Sequence, residues 1–242
     1  VHKQYFANVQ EGESLLAAVA EYNEQGQLEG DQKTFYRNGQ CRSLISFQNG
    51  VRDGLMAMWD HKGDVIEKRS YEAGKLEGPY AAVNEEGQRA CYEYKDNKKE
   101  GPYIVYHSPS LHEGEPNKYV EGFYKEGKLE GDLTTYDPQG RKINTVAYKK
   151  GKRDGLTTFW YENGAVATEN TLKDDELVGE ARQFYRNGKL HKKVVFKQGK
   201  KSGPETTYFD NGEVKSIYHY VKGELEGEAN HWNRNKTLIF KA

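Results

Sequence analysis

The sequence predicts an all-β protein: an elongated single-layer antiparallel β-meander of about 8–9 tandem 24-residue hairpin repeats. Three observations predict it. Glycine recurs at a fixed period, an aromatic follows each recurring glycine at a constant distance, and the intervening stretches alternate polar with apolar residues.

The period comes first. "TFYRNGQCRSLISFQNGVRDG" (34–54) is echoed by "QFYRNGKLHKKVVFKQGKKSG" (183–203), 149 residues downstream. Units aligned on an opening glycine begin at Gly30, Gly54, Gly78, Gly101, Gly131, Gly155, Gly179, Gly203 and Gly227, with gaps of 24, 24, 23, 30, 24, 24, 24 and 24 residues. Five residues after each stands Phe35, Trp59, Val83, Tyr106, Tyr136, Trp160, Phe184, Tyr208 or Trp232, all aromatic but one. A second aromatic comes late in the unit: Phe47, Tyr71, Tyr94, Tyr124, Tyr148, Phe196 and Tyr220, with Leu172 in its place once.

Within a unit, Cys41, Ser43, Ile45 and Phe47 alternate with their neighbours as a half-buried strand does. Nine residues after the opening glycine comes a second one, preceded by Asn at Asn38, Asn163, Asn187 and Asn211. Asn-Gly between two alternating runs signals a hairpin. In "YDPQG" (136–140), Pro138 suits the second position of a type I turn and leaves Gly140 in the left-handed position. Each unit therefore reads as one hairpin, and the next opening glycine is expected to turn the chain into the following one. The segment 12–26 has an apolar run, Leu15 to Val19, that suits a helix; its closing "EYNEQGQLEG" matches later units, so it is expected to be a strand. The organisation is one repeat domain over 1–242: a degenerate unit at 1–29, eight repeats over 30–226 with an insertion at 107–119, and a half repeat at 227–242.

Composition agrees. Leu, Ile, Val and Phe number 45 of 242, yet Tyr contributes 18 and the net charge is only −1, so the scarcity of aliphatics signals a thin aromatic core rather than disorder. Aromatics are expected to file along one face, each covering the next. The balance of 36 basic and 37 acidic residues argues against a nucleic-acid binder. No stretch has the ~20 apolar residues of a membrane-spanning helix. Cys41 and Cys91 lie four strands apart, about 19 Å at 4.8 Å per strand, too far for a disulfide, and are expected to be small buried thiols.

The signature "FYRNGKL…VVFKQGKKSG" at about 24 residues resembles the MORN repeat, and more closely the variant of the bacterial YwqK-type antitoxin proteins, over residues 22–240. The 30-residue unit at 101–130, which lacks the second glycine, departs from the pattern. The resemblance implies a single-layer β-sheet and a non-enzymatic antitoxin or immunity protein. Such a protein neutralises a toxin or secreted effector by protein–protein contact, a type VI secretion lipase being one such partner, in the bacterial periplasm or envelope or alternatively in the cytoplasm. MORN repeats are also assigned to phospholipid binding, so a membrane-surface scaffold is the alternative, for which the basic stretches 141–153 and 186–201 speak. The chain begins with Val, which leaves open whether a leader was removed.

The irregular unit holds His107, Ser108, Ser110, His112, Glu113 and Glu115. His107 and His112 match no known ligand spacing, so the segment reads as a tolerated loop expansion or a partner-contacting protrusion. Tyr36, Tyr161, Tyr185 and Phe209 directly follow the plus-five aromatics and are expected on the opposite face. Tyr161, Tyr185 and Phe209 would there form a stripe of binding anchors. Phe35, Trp59, Tyr106, Tyr136, Trp160, Phe184, Tyr208 and Trp232 are expected to be structural. No catalytic, metal or cofactor residues can be singled out, so an enzyme is not expected.

Overall fold

The computed structural model describes residues 1–7, 10–11, 13–108 and 117–241. Among them 21 strands form one open antiparallel sheet, and none of the described residues is helical. The chain divides into two compact units, Val1–Asn117 with Tyr124–Gly127, and Lys118–Phe123 with Lys128–Ala242.

The first unit holds β1 (His2–Tyr5), β2 (Leu16–Ala20), β3 (Gly30–Phe35), β4 (Cys41–Gln48), β5 (Val51–Trp59), β6 (Val65–Glu72), β7 (Lys75–Val83), β8 (Arg89–Lys95) and β9 (Lys98–Tyr106). The segment that suits a helix is strand β2, paired with β1 and β3. After β10 (Lys118–Lys125), the second unit continues through β11 (Lys128–Leu129), β12 (Gly131–Tyr136), β13 (Lys142–Lys149), β14 (Lys152–Trp160), β15 (Val166–Lys173) and β16 (Glu176–Phe184). It ends with β17 (Leu190–Lys197), β18 (Lys200–Tyr208), β19 (Val214–Val221), β20 (Glu224–Trp232) and β21 (Leu238–Lys241). Strands β1–β9 and β12–β21 pair with their sequence neighbours, and β10 pairs with β12.

Two kinds of turn alternate. One is the expected Asn-Gly type: the Gly39 amide donates to the Tyr36 carbonyl and the Tyr36 amide to the Gln40 carbonyl. Asp137-Pro138-Gln139-Gly140 closes the same way, with Gly140 left-handed. The other is a two-residue turn with both residues left-handed, such as Asn49 (φ 49°) and Gly50 (φ 77°), which matches the twist of the flanking strands.

The opening glycine corrects the expectation. It makes no turn but sits inside a strand: Gly54 lies in β5 and Gly155 in β14, both with positive φ. There the register jumps from Ile45↔Met56 to Phe47↔Arg52, a bulge that only a residue without Cβ fills easily. Across the other ladder, six of these glycines face the late aromatic, Gly30↔Phe47, Gly54↔Tyr71, Gly78↔Tyr94, Gly131↔Tyr148, Gly179↔Phe196 and Gly203↔Tyr220, and Gly155 faces Leu172. A second bulge, between Met58↔Glu67 and Trp59↔Val65, leaves Ile66 unmatched. The 23-residue unit lacks it, pairing Val83 directly with Arg89, and it is the unit whose plus-five residue is Val.

The pairings also assign faces. Trp59 shares a face with Ala57 and its partner Lys68, whereas Tyr71 shares the other with Arg69 and its partner Met56. The two aromatic rows therefore lie on opposite faces, not on one. The buried residues are small or mid-sized and sit mid-strand: Ala57 (0% exposed), Ala229 (4%), Ser216 (4%) and Val194 (6%). No large side chain among the described residues is fully buried, and the aromatics of both rows are half-buried. Each half-covered ring contributes about 2 kcal/mol, so cohesion is spread over the whole chain. The cysteines are free thiols in β4 and β8, half-buried rather than buried.

Candidate functional site

The residues that recur for structural reasons must be separated from those that do not. In the turns opened by tyrosine, FYRNG at 35–39 and 184–188 and WYENG at 160–164, the tyrosine reaches into the next repeat. Tyr36 Oη donates to the Trp59 carbonyl at 2.9 Å, Tyr161 to that of Phe184 at 2.7 Å, and Tyr185 to that of Tyr208 at 2.7 Å. The asparagine does likewise: Asn38 Nδ2 donates to the His61 carbonyl at 2.7 Å and Asn163 Nδ2 to that of Arg186 at 2.9 Å. Where the turn opens with Asp or Asn instead, as at Asp60, Asn84, Asp137 and Asn233, its side chain accepts two amides of its own turn.

The opposite edge is tied as regularly. The second residue of each two-residue turn donates its amide to a carbonyl of the preceding repeat, as from Gly50 to Leu28, Gly151 to Leu129 and Gly223 to Lys201. The acid before the opening glycine, recurrent in "LEG" and "RDG", accepts the amide of the turn's first residue: Glu29 from Asn49 at 2.7 Å, Asp53 from Ala73 at 3.1 Å, Glu77 from Asp96 at 2.8 Å, Glu100 from Glu126 at 2.7 Å and Glu130 from Lys150 at 2.7 Å. These segments recur because one repeat seats the turn of the next.

With those roles assigned, one cluster stands out, in which Tyr94 and Tyr124 of the late row meet three tyrosines outside both rows. In the first unit, Tyr80 stacks on Tyr92 at 4.5 Å between ring centres, Tyr94 meets both edge-on at 5.8 and 5.5 Å, Tyr103 lies 6.1 Å from Tyr92, and Tyr124 lies 5.3 Å from Tyr103. All five are half-buried. Lys99 Nζ sits over the Tyr92 ring at 4.2 Å and the Tyr124 ring at 5.1 Å, and burial holds its pKa below the usual lysine value. Burial, then hydrogen bonding with Tyr94, pushes the Tyr92 phenol well above the ordinary range. Burial and then the Glu67 charge raise that of Tyr80. At the margin, Arg69 lies 6.0 Å from the Tyr71 ring and 3.0 Å from the Met56 sulfur. A patch of phenols around a partly desolvated cation suits the recognition of another macromolecule: rings supply area at low entropy cost, and hydroxyls and ammonium supply direction.

The predicted site residues fall elsewhere. Tyr161 and Tyr185 open turns and spend their hydroxyls on the neighbouring repeat, so they tie repeats together. Phe209 holds the same turn position without a hydroxyl and carries Arg234 over its ring at 5.1 Å. His107 is half-buried and its amide donates to the Asn117 carbonyl at 2.9 Å, closing the neck of the insertion. Ser108 is exposed and lies against Gly87. Ser110, His112, Glu113 and Glu115 lie outside the described residues. Phe35, Trp59, Tyr106, Tyr136, Trp160, Phe184, Tyr208 and Trp232 all end strands. The tyrosine cluster was missed, although "PYAAV", "CYEYK" and "PYIVY" crowd five tyrosines into residues 80–106.

The family model described as MORN repeat variant matches residues 28–49, 153–174, 177–198 and 201–222. No curated protein matches the chain. The limits of the four matches have a structural meaning. Each starts at a residue whose carbonyl accepts a turn amide (Leu28, Arg153, Leu177, Lys201) and stops one residue before the donor (Gly50, Asp175, Gly199, Gly223).

Proposed function

We propose that this MORN repeat variant protein is a non-enzymatic binding protein that neutralises a bacterial toxin or secreted effector by covering it. The observation that carries the reading is the tyrosine cluster around Lys99, which lies on a face of a sheet one layer thick. Stoichiometric inhibition needs area and no chemistry; specific complexes bury about 1,200–2,000 Å² in total. The repeat type supports an immunity or antitoxin role, in the periplasm or envelope, against an envelope-damaging effector such as a type VI secretion lipase. Co-expression with the product of the adjacent gene tests it. A complex that survives purification and relieves toxicity, and that Tyr92→Ala and Lys99→Glu weaken by about tenfold or more, is the expected result. No complex and unchanged toxicity would refute it.

One observation favours a second reading. Lys149, Lys150, Lys152, Lys197, Lys200 and Lys222 flank the two-residue turns of the second unit and are exposed, as a scaffold on an anionic membrane surface requires. Salt-sensitive flotation with anionic liposomes supports that scaffold; no binding at low salt removes it.

A further inference from the structure

The carboxylate seats that tie neighbouring repeats are incomplete at two adjacent places in the second unit. Where the other units carry Glu or Asp before the opening glycine, Val178 precedes Gly179 and Ser202 precedes Gly203. The amides those acids would receive, on Gln198 and Lys222, make no hydrogen bond among the described residues. Asp154 does precede Gly155, but it does not close the corresponding bond to Asp174.

The place beside Ser202 is hollow. A cavity of about 410 Å³ opens there, lined by Lys197, Gln198, Lys200, Ser202, Val221 and Lys222. The turns are in contact across it: the Cα of Gly223 faces the Lys200 side chain, whose Cβ lies 3.7 Å from where a Cβ on Gly223 would be. Lys197, Lys200 and Lys222 have no ion pair among the described residues, whereas Lys192 and Lys201 nearby are taken up by Glu205. Glu224 and Glu226, on the following strand, are exposed. One hollow is thus lined by the position that holds a carboxylate in other repeats, a residue whose amide makes no hydrogen bond among the described residues, and three lysines without an ion pair among them.

We infer that this hollow seats a carboxylate from an acidic segment of a partner protein, which completes at Lys222 the bond that Glu29, Asp53, Glu77, Glu100 and Glu130 complete elsewhere in the chain. The chain itself supplies the argument for a carboxylate over other anions: in five repeats this group sits 2.7–3.1 Å from the equivalent amide, a charge-assisted geometry. Successive turns lie two strand spacings apart, about 10 Å, so a segment in polyproline II form with acids three residues apart, on one side, reaches the Gln198 amide as well. The inference concerns a surface separate from the tyrosine cluster and holds whether or not the partner is a toxin.

The test is fluorescence anisotropy of a labelled oligoglutamate peptide at low ionic strength, on the full chain, with anionic vesicles as a parallel arm. Ser202→Glu places the chain's own acid in the seat; it is expected to raise the melting temperature and weaken peptide binding by about tenfold. Lys149→Gln alters net charge equally, two turns away on the same edge, and is expected to change binding less than about twofold. If Ser202→Glu folds poorly, Lys200→Gln with Lys222→Gln gives the same reading. Equal weakening by Ser202→Glu and Lys149→Gln, or binding of vesicles without binding of peptide, overturns the inference.

Discussion

The hydroxyl of Tyr185 donates a 2.7 Å hydrogen bond to the main-chain carbonyl of Tyr208, the residue that ends the strand one repeat further on. Tyr161 makes the same bond to Phe184 and Tyr36 to Trp59. Tyr161→Phe and Tyr185→Phe are each expected to cost about 0.5–1.5 kcal/mol in urea unfolding. The reverse change, Phe209→Tyr, places a hydroxyl where the Trp232 carbonyl stands in the same relation and is expected to stabilise. A Phe209→Tyr variant no more stable than wild type would show that the bond contributes nothing.

Glycine inside the strands should tolerate a methyl group unequally. At Gly155 (φ 123°) a Cβ would fall 2.8 Å from the Cβ of Ala147, while at Gly203 (φ 87°) it would meet nothing within 4 Å. Both substitutions carry the cost of left-handed backbone, about 1 kcal/mol or more. Gly155→Ala is expected to lose about 1–3 kcal/mol beyond that for the clash. Comparing the two melting temperatures checks the order.

Among the described residues, Glu205 is the charged group most withdrawn from water, at 6% exposure. Burial pushes its carboxyl up, but Lys201 at 2.6 Å and Lys192 at 3.0 Å outweigh that and leave it below the usual glutamate value. A lowered folded pKa contributes stability above the unfolded value of about 4.3, and that stability is lost as pH falls through the folded value. Glu205→Gln is expected to destabilise by about 2–4 kcal/mol at neutral pH, because two cations lose their partner. It should also flatten the acid limb of the stability profile. An unchanged acid limb in denaturant titrations would contradict this.

Tyrosines make the opposite prediction at high pH. Burial, and then the Glu121 carboxylate that accepts its hydrogen bond, push Tyr136 up to about 12. Tyr92 and Tyr80 are raised as well, by burial first. A raised folded pKa means stability that is whole below the unfolded value, about 10, and is lost as pH climbs through the folded one. Absorbance at the phenolate band should therefore show part of the tyrosines titrating late and together with alkaline unfolding. Tyr92→Phe should remove part of that late fraction.

The repeat, the hairpins and the Pro138–Gly140 turn were legible because each depends on residues close in sequence. The role of the opening glycine was not: a left-handed glycine looks the same in a turn and in a bulge, and only the partner strand, with Phe47 opposite Gly30, tells them apart. The face assignment failed for a related reason. Pairing parity depends on bulged residues such as Ile66, and nothing in the chain marks that residue as unmatched. The tyrosine cluster escaped because Tyr80 and Tyr103 stand two residues after an opening glycine, a position held by Met56, Thr157 and Ala181 elsewhere. A position without a preferred type attracts no attention in an alignment of repeats. Tyr161 and Tyr185 did recur, and recurrence marked them as parts of the scaffold.

Because each turn is moored to the repeat before it and each turn-opening tyrosine to the repeat after it, the molecule has a natural quantum of length. Excising Gly179–Ser202 would join Val178 to Gly203 and leave the same donors facing the same kinds of acceptor, whereas losing half as many residues would turn every downstream strand end for end. Insertions and deletions that change the number of strands in this lineage should therefore come in whole modules, and reach along the sheet can be lengthened or shortened without inventing a new interface.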